Sequence, residues 1–118
     1  MSRDISAGHV VWINLSPTLG REQRGHRPAV IVSSRDHLAI VNSLAIIVPC
    51  TSTSLAWPNH VELEGPTGLR EISHAMTEQP RTLTRTRITE VAGTVGKECL
   101  AEIIMWLNDW IQSRSSSA

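Results

Sequence analysis

The sequence predicts a mainly β fold, a small barrel or sandwich, with one amphipathic helix at the carboxy end. Three observations predict it. Short apolar, β-branched runs recur between clusters of Gly, Pro, Ser and Thr, the pattern of several short strands separated by turns. Near the end of the chain the apolar spacing changes from alternation to the helical period. The composition is globular: 118 residues, 41% hydrophobic and 19% charged, enough for one core and for one domain spanning residues 1–118.

The elements follow in order. Residues 9–15 (HVVWINL) are apolar and β-branched and predict a strand. Ser16 to His26 is polar, with Pro17, Gly20 and Gly25, and its length marks a candidate functional loop. A second strand is predicted from Pro28 to Ser33, where Pro stands at the first position and breaks no ladder. Residues 34–43 are polar and mixed, with room for one helical turn. Ser43 to Cys50 (SLAIIVPC) predicts a third, more buried strand whose regular pairing ends at Pro49. Thr51 to Pro58 is a hydroxyl-rich loop. Residues 59–64 alternate, with Val61 and Leu63 on one face and His60, Glu62 and Glu64 on the exposed one. Gly65, Pro66 and Gly68 mark a turn. Ile72 to Glu78 and Ile88 to Val95 predict two further strands, with the Arg-rich stretch PRTLTRTR between them. Leu100, Ile103, Ile104, Leu107 and Ile111, with Trp106 and Trp110 alongside, predict an amphipathic helix of about four turns. Glu98 in its first turn suits the helix dipole, and the tail Ser113–Ala118 is expected to fray. The helix's apolar arc is broad enough to suggest contact with more than its own barrel.

Charge and composition exclude several classes. Eleven basic residues balance eleven acidic ones, so no net charge draws the protein to nucleic acid, and any such site depends on local placement. Apart from Lys97 every basic residue is Arg, whose planar fork suits phosphates and base edges. The longest clean apolar run, Leu44 to Val48, is too short to cross a bilayer, and Met1 to Gly8 has no signal-peptide core. Cys50 and Cys99 make neither a disulfide framework nor a zinc site, which fits a reducing, cytoplasmic setting. No GxxxxGK[ST], GxGxxG or HExxH pattern occurs.

Two stretches carry candidate chemistry. The first is GREQRGHRP, Gly20 to Pro28, in which Arg27 precedes Pro28 and is biased to extended backbone. The second is PCTST, Pro49 to Thr53. If the second and third strands pair antiparallel, their facing ends are 27–28 and 50–51, and Arg27 and Thr51 become neighbours. A fixed cation beside a hydroxyl donor can stabilise a phosphorane-like transition state. Taken alone, an Arg at a strand end is more often simply solvated, and a loop Thr more often bonds its own backbone. His26 and His74 are candidate acids or bases, or else ordinary polar or internally satisfied histidines. Cys50 suits a small buried filler better than a nucleophile.

The stretch GHVVWINLSPTLGREQRGHRPAVIVS, followed by IIVPCTST, WPNHVEL and TEQPRTL, resembles the MazF/PemK family of toxins from type II toxin–antitoxin systems. The blocks stand in the family's order and spacing over nearly the whole chain. The resemblance implies an SH3-like small barrel with added helices. It also implies a ribosome-independent endoribonuclease, an mRNA interferase, that cuts single-stranded RNA without metal or other cofactor, works as a homodimer and is blocked by a cognate, MazE-like antitoxin. An acidic, disordered antitoxin segment would suit the protein's Arg clusters.

Carried over by position, Arg27 and Thr51 match the catalytic pair. Glu22, Gln23, Glu78 and Gln79 match positions that contact RNA, although Pro80 after Gln79 departs from the pattern and is expected to kink the strand. The implied chemistry is attack of the ribose 2′-OH on the adjacent phosphate, giving a 2′,3′-cyclic phosphate and a 5′-OH; DNA lacks this nucleophile. Arg27 would neutralise phosphate charge and serve the leaving oxygen, but it is a poor base because its pKa is so high. Glu22 is the candidate base, its alternative being an ion pair with Arg21 or Arg24, which flank the same loop and are candidate RNA contacts. For base stacking, Trp57 is best placed; Trp12, Trp106 and Trp110 are expected to pack in the fold. Arg81, Arg85 and Arg87 form either a phosphate track or a solvated strand-turn face. Two other functions compete: a CcdB-like toxin that binds gyrase, whose barrel is similar, and a non-catalytic SH3-like binding module.

Overall fold

The computed structural model describes residues 4–16 and 25–112. The expected fraying of Ser113–Ala118 falls outside them. The elements are β1 (His9–Asn14), β2 (His26–Ile31), α1 (Arg35–Ile40), β3 (Leu44–Thr51), β4 (His60–Glu62), β5 (His74–Met76), β6 (Arg81–Thr84), a single 3-10 turn (Arg85–Arg87), β7 (Ile88–Thr94) and α2 (Lys97–Ile111). The strands run in the order β4-β5-β3-β2-β1-β7, with β6 added against β3, and every pairing is antiparallel. The result is an open, barrel-like sheet with the long helix packed on it, as the sequence predicts.

Alternation along the strands builds two cores, because successive side chains leave opposite faces of a strand. Val10, Val30, Val48 and Cys50 join Val61, Ala75 and the α2 residues Cys99, Ile103 and Leu107 in one cluster. Their neighbours Val11, Ile13, Ala29, Ile31, Ala45 and Ile47 join Leu83 and Ile88 in the other. The buried seam of α2 is thus a single line, one residue per turn. Met105, Trp110 and Ile111 stay exposed, Ile111 at 82%. The short α1 is capped by the Ser34 hydroxyl, which accepts from the His37 amide.

Three expectations are corrected. Pairing of β3 does not end at Pro49, which sits opposite Ala29 of β2. On its other edge β3 pairs with β6 up to Ile47 and with β5 from Cys50 onward, so Pro49, which lacks an N–H, occupies the gap between two partners. The stretch PRTLTRTR is not a connection but holds β6, whose Leu83 fills the second core. His60, expected on a solvent face, is buried because its ring finds partners there.

The connection from β4 to β5 is locked onto β7 by close backbone contact. Gly68 has φ +77°, and a Cβ on it would lie 2.1 Å from the Ala92 carbonyl oxygen. A Cβ on Gly93 would lie 2.2 Å from the Pro66 carbonyl oxygen. The Thr94 amide donates to Pro66 O at 3.0 Å and the Gly96 amide to Glu64 O at 2.9 Å. Gly68→Ala adds both a left-handed backbone and a clash with main chain, so we expect it to destabilise the fold by about 1–3 kcal/mol. Denaturant titration measures this, and an unchanged midpoint would remove the lock.

Candidate active site

The β2–β3 ladder, with Ala29 opposite Pro49 and Ile31 opposite Ile47, ends two residues short of Arg27 and Thr51, and its register continued sets the two across from each other. Both residues line an open pocket of about 500 Å³ at the ends of β2 and β3. Arg27 is exposed, and its guanidinium makes no hydrogen bond to any described residue. The Thr51 hydroxyl accepts from the Thr53 amide at 3.0 Å and donates to the Thr53 carbonyl at a long 3.3 Å. The local backbone bond expected of a loop Thr is therefore present, and it fixes the oxygen's position. Its proton has one described acceptor, held weakly, and is free to turn toward an incoming phosphate oxygen.

The pocket also holds residues that the sequence reading did not assign to it. Trp12, expected in the core, is half-buried and lines the pocket, placed by its cross-strand pairing with Pro28. Leu69, Arg70, Glu71 and Ser73 come from the locked β4–β5 connection. The turn residues Gly65, Pro66 and Gly68 signalled a bend, but nothing local says that the bend returns over β3. Cys50 lines the pocket from the core side; burial pushes its thiol pKa far up, with Cys99 adding to the effect, so it fits the filler role and not a nucleophile's.

A second polar cluster lies away from the pocket. Asn59 Nδ2 donates to Glu78 Oε1 at 2.7 Å, His60 Nε2 lies 3.1 Å from Glu78 Oε2, and Gln79 Nε2 donates to the same oxygen at 3.2 Å. The ring of Trp57, 47% exposed, tilts against the His60 ring with centroids 5.2 Å apart. Trp57, Glu78 and Gln79 therefore sit together, but not with Arg27 and Thr51. Strand β5 ends at Met76, before Pro80, and Gln79 lies in a turn with its amide bonded to Met76 O.

The basic stretch splits up. Arg85 donates to the carbonyls of Leu38, Val41 and Leu44, closing the carboxy end of α1. Arg87 donates to the carbonyls of Asn14 and Ser16. Arg81 is exposed. Arg81, Arg85 and Arg87, expected as a phosphate track or a solvated face, are as a set neither: the guanidinium groups of Arg85 and Arg87 are bound to backbone carbonyls. Arg21, Glu22, Gln23 and Arg24 lie outside the described residues.

Burial raises the Glu78 carboxyl pKa, but the hydrogen bond from His60, the residue's own backbone amide, the Gln79 amide and the His60 charge together hold it below its ordinary value. A lowered folded-state pKa adds stability above the ordinary carboxylate range, and that stability is lost as pH falls through the folded-state value. We expect the stability gap between wild type and Glu78→Gln to be full at neutral pH and to close in acid below the ordinary Glu range. Thermal melts across pH measure the gap; a gap independent of pH would contradict the network.

A family model described as PemK-like, MazF-like toxin of type II toxin–antitoxin system matches residues 6–111. The endoribonuclease toxin MazF of Escherichia coli K12 is 33% identical over 102 residues, 86% of this chain and 88% of that protein. A crystal structure of MazF from Deinococcus radiodurans superposes with TM-score 0.74 at 29% identity, covering 93% of this chain and 98% of that one. A MazE–MazF crystal structure from the same organism superposes with TM-score 0.73 at 25% identity, covering 94% and 98%. A strand register that brings Arg27 to Thr51, a locked return loop and one helix across a barrel-like sheet thus accompany a match that spans nearly the whole chain, which belongs to the PemK/MazF family of type II toxins.

Proposed function

We propose that the chain is the toxin of a toxin–antitoxin pair, a single-domain endoribonuclease that cleaves single-stranded RNA, mRNA included, and so arrests translation. The observation that carries the reading is the β2–β3 register, which sets an uncommitted guanidinium beside a fixed hydroxyl at one pocket. The relatives support it: the Escherichia coli protein is named an endoribonuclease toxin, and the Deinococcus protein is seen with MazE. No helix among the described residues is long and apolar enough to cross a membrane, and we place the action in the cytoplasm, where mRNA is.

In this reading the 2′-oxygen attacks phosphorus, the P–O5′ bond breaks, and the ends are a 2′,3′-cyclic phosphate and a 5′-OH. Arg27 meets the charge that builds on the phosphoryl oxygens and serves the leaving oxygen, while Thr51 donates its proton to a non-bridging oxygen. Incubation with a long mixed-sequence RNA in EDTA tests the class. Cleavage with 5′-OH ends supports it; gyrase inhibition without cleavage would replace it with the CcdB-like reading, and neither activity would leave a binding module.

We expect Arg27→Ala to cut the cleavage rate by about 10²–10³ or more, as for loss of a preorganised donor, with little change in thermal midpoint. Arg27→Lys should rescue poorly, because a point charge does not replace the fork. Thr51→Val should lower kcat with RNA affinity mostly kept; equal loss of both would make Thr51 a ground-state contact.

The exposed Trp110 and Ile111 on α2 support a homodimer, and the uncommitted Arg side chains near the pocket support an acidic antitoxin segment competing with RNA. Light scattering at micromolar protein should give twice the chain mass, and inhibition by an acidic partner peptide should weaken with salt and with added RNA. A monomeric mass, or inhibition indifferent to both, would count against this arrangement.

A further inference from the structure

The reaction proposed above needs a group to take the 2′-OH proton; Arg27 and Thr51 are both unsuited to it at neutral pH, and Glu22, the candidate from the sequence, lies outside the described residues. The sheet supplies one. Thr51 of β3 pairs directly with His74 of β5, and His74 pairs directly with Glu62 of β4. Directly opposed residues in an antiparallel sheet share a face, with Cβ atoms about 5 Å apart. Their chain neighbours Cys50, Ala75 and Val61 all point into the core beneath α2, so Thr51, His74 and Glu62 stand together on the other face. Arg27, opposite Thr51 by the β2–β3 register, extends the same row. The order across four strands is guanidinium, hydroxyl, imidazole, carboxylate.

The state of the imidazole is the second observation. His74 is half-buried, and its Nδ1 is sealed from solvent with no hydrogen-bond partner. A buried polar atom with no partner costs stability and calls for an explanation. His60, one strand away, shows what a structural histidine does in this fold: its ring nitrogens meet Ser54 and Glu78. His74 has no such bonds and keeps Nε2 as the nitrogen that reaches the surface.

We propose that His74 is a catalytic residue of the RNA cleavage, the general base of the transfer step. It rests on the ribonuclease reading. Neutral His74 accepts the 2′-OH proton at Nε2 as the O2′–P bond forms. The P–O5′ bond breaks, the leaving oxygen takes its proton from Arg27 or water, and the imidazolium later returns its proton to solvent. Glu62 is a positioning residue, placed opposite the ring on the same face. The other charged or titratable groups facing His74 are His60, diagonal to it on β4, Glu64 just past the end of β4, and Arg27 beyond Thr51; His60 is already tied to Glu78.

The test is the pH dependence of kcat/KM on an RNA that wild type cleaves. Wild type should lose activity toward acid as the base takes up a proton. His74→Gln should be slower by about 10²–10⁴ and lose that limb, with melting unchanged. Added imidazole should restore part of the rate to His74→Ala, and Glu62→Gln should lower kcat with KM mostly kept. A His74→Gln protein within about twofold of wild type, or one slowed with the same acid limb, would overturn the assignment while leaving the ribonuclease reading intact. A wild-type protein that cleaves no RNA would remove that reading and this one together.

Discussion

The antiparallel pairing of β2 with β3 is the constraint on which the rest depends. Val30 and Val48 must face α2 while Ala29, Ile31 and Ile47 face the second core. A slip of one residue would send each set into the other core, against side chains it is not shaped to meet. The hydrophobic register is therefore fixed by burial, and the same register carries past Ala29 and Pro49 to set Arg27 against Thr51. The polar pair at the strand ends is positioned by apolar contacts further in. Because β3 then takes β5 as its next partner, the register also hands Thr51 on to His74 and Glu62.

The arginines divide by what they already hold. Arg85 and Arg87 donate to carbonyls on α1 and the turn after it, at the start of β3 and at the end of β1. Arg27 and Arg70 line the pocket and make no hydrogen bond to a described residue. A guanidinium bound to its own backbone has given up the donors that a phosphate would need. Local charge is thus supplied at one pocket by a chain with no net charge. The Gly68–Ala92 and Gly93–Pro66 contacts hold the wall that carries Arg70, so that side starts from a rigid loop.

What was legible in the sequence follows the range of the interactions. The apolar, β-branched runs in His9–Asn14 and Leu44–Thr51 and the alternation around Val61 are local signals, and those strands appear where they point. The helical period after Lys97 is local as well, and α2 follows it. Pro49 misled because a proline's effect depends on which strand lies on its N–H side, and that is a property of the sheet. His60 misled because alternation says which face a side chain takes but not that Glu78 and Trp57 will cover it. Arg85 and Arg87 could not be read as backbone staples from their own neighbourhood, since their acceptors lie in and just after α1, at the start of β3 and around the end of β1. The facing of Arg27 and Thr51 was legible, because two adjacent strands with a known hydrophobic register leave little freedom at their ends. The pocket's far wall, Leu69 to Ser73, was not, because it reaches the site only through the contact with β7.

The central claim is that Arg27 and Thr51 act on one phosphate as a unit set by that register. A double-mutant cycle on single-turnover cleavage tests it most directly, comparing Arg27→Ala, Thr51→Val and the double variant against wild type. Groups that stabilise the same transition-state charge are strongly non-additive. The account predicts that the double variant is little slower than Arg27→Ala alone. Losses that simply multiply would show two independent groups and contradict it.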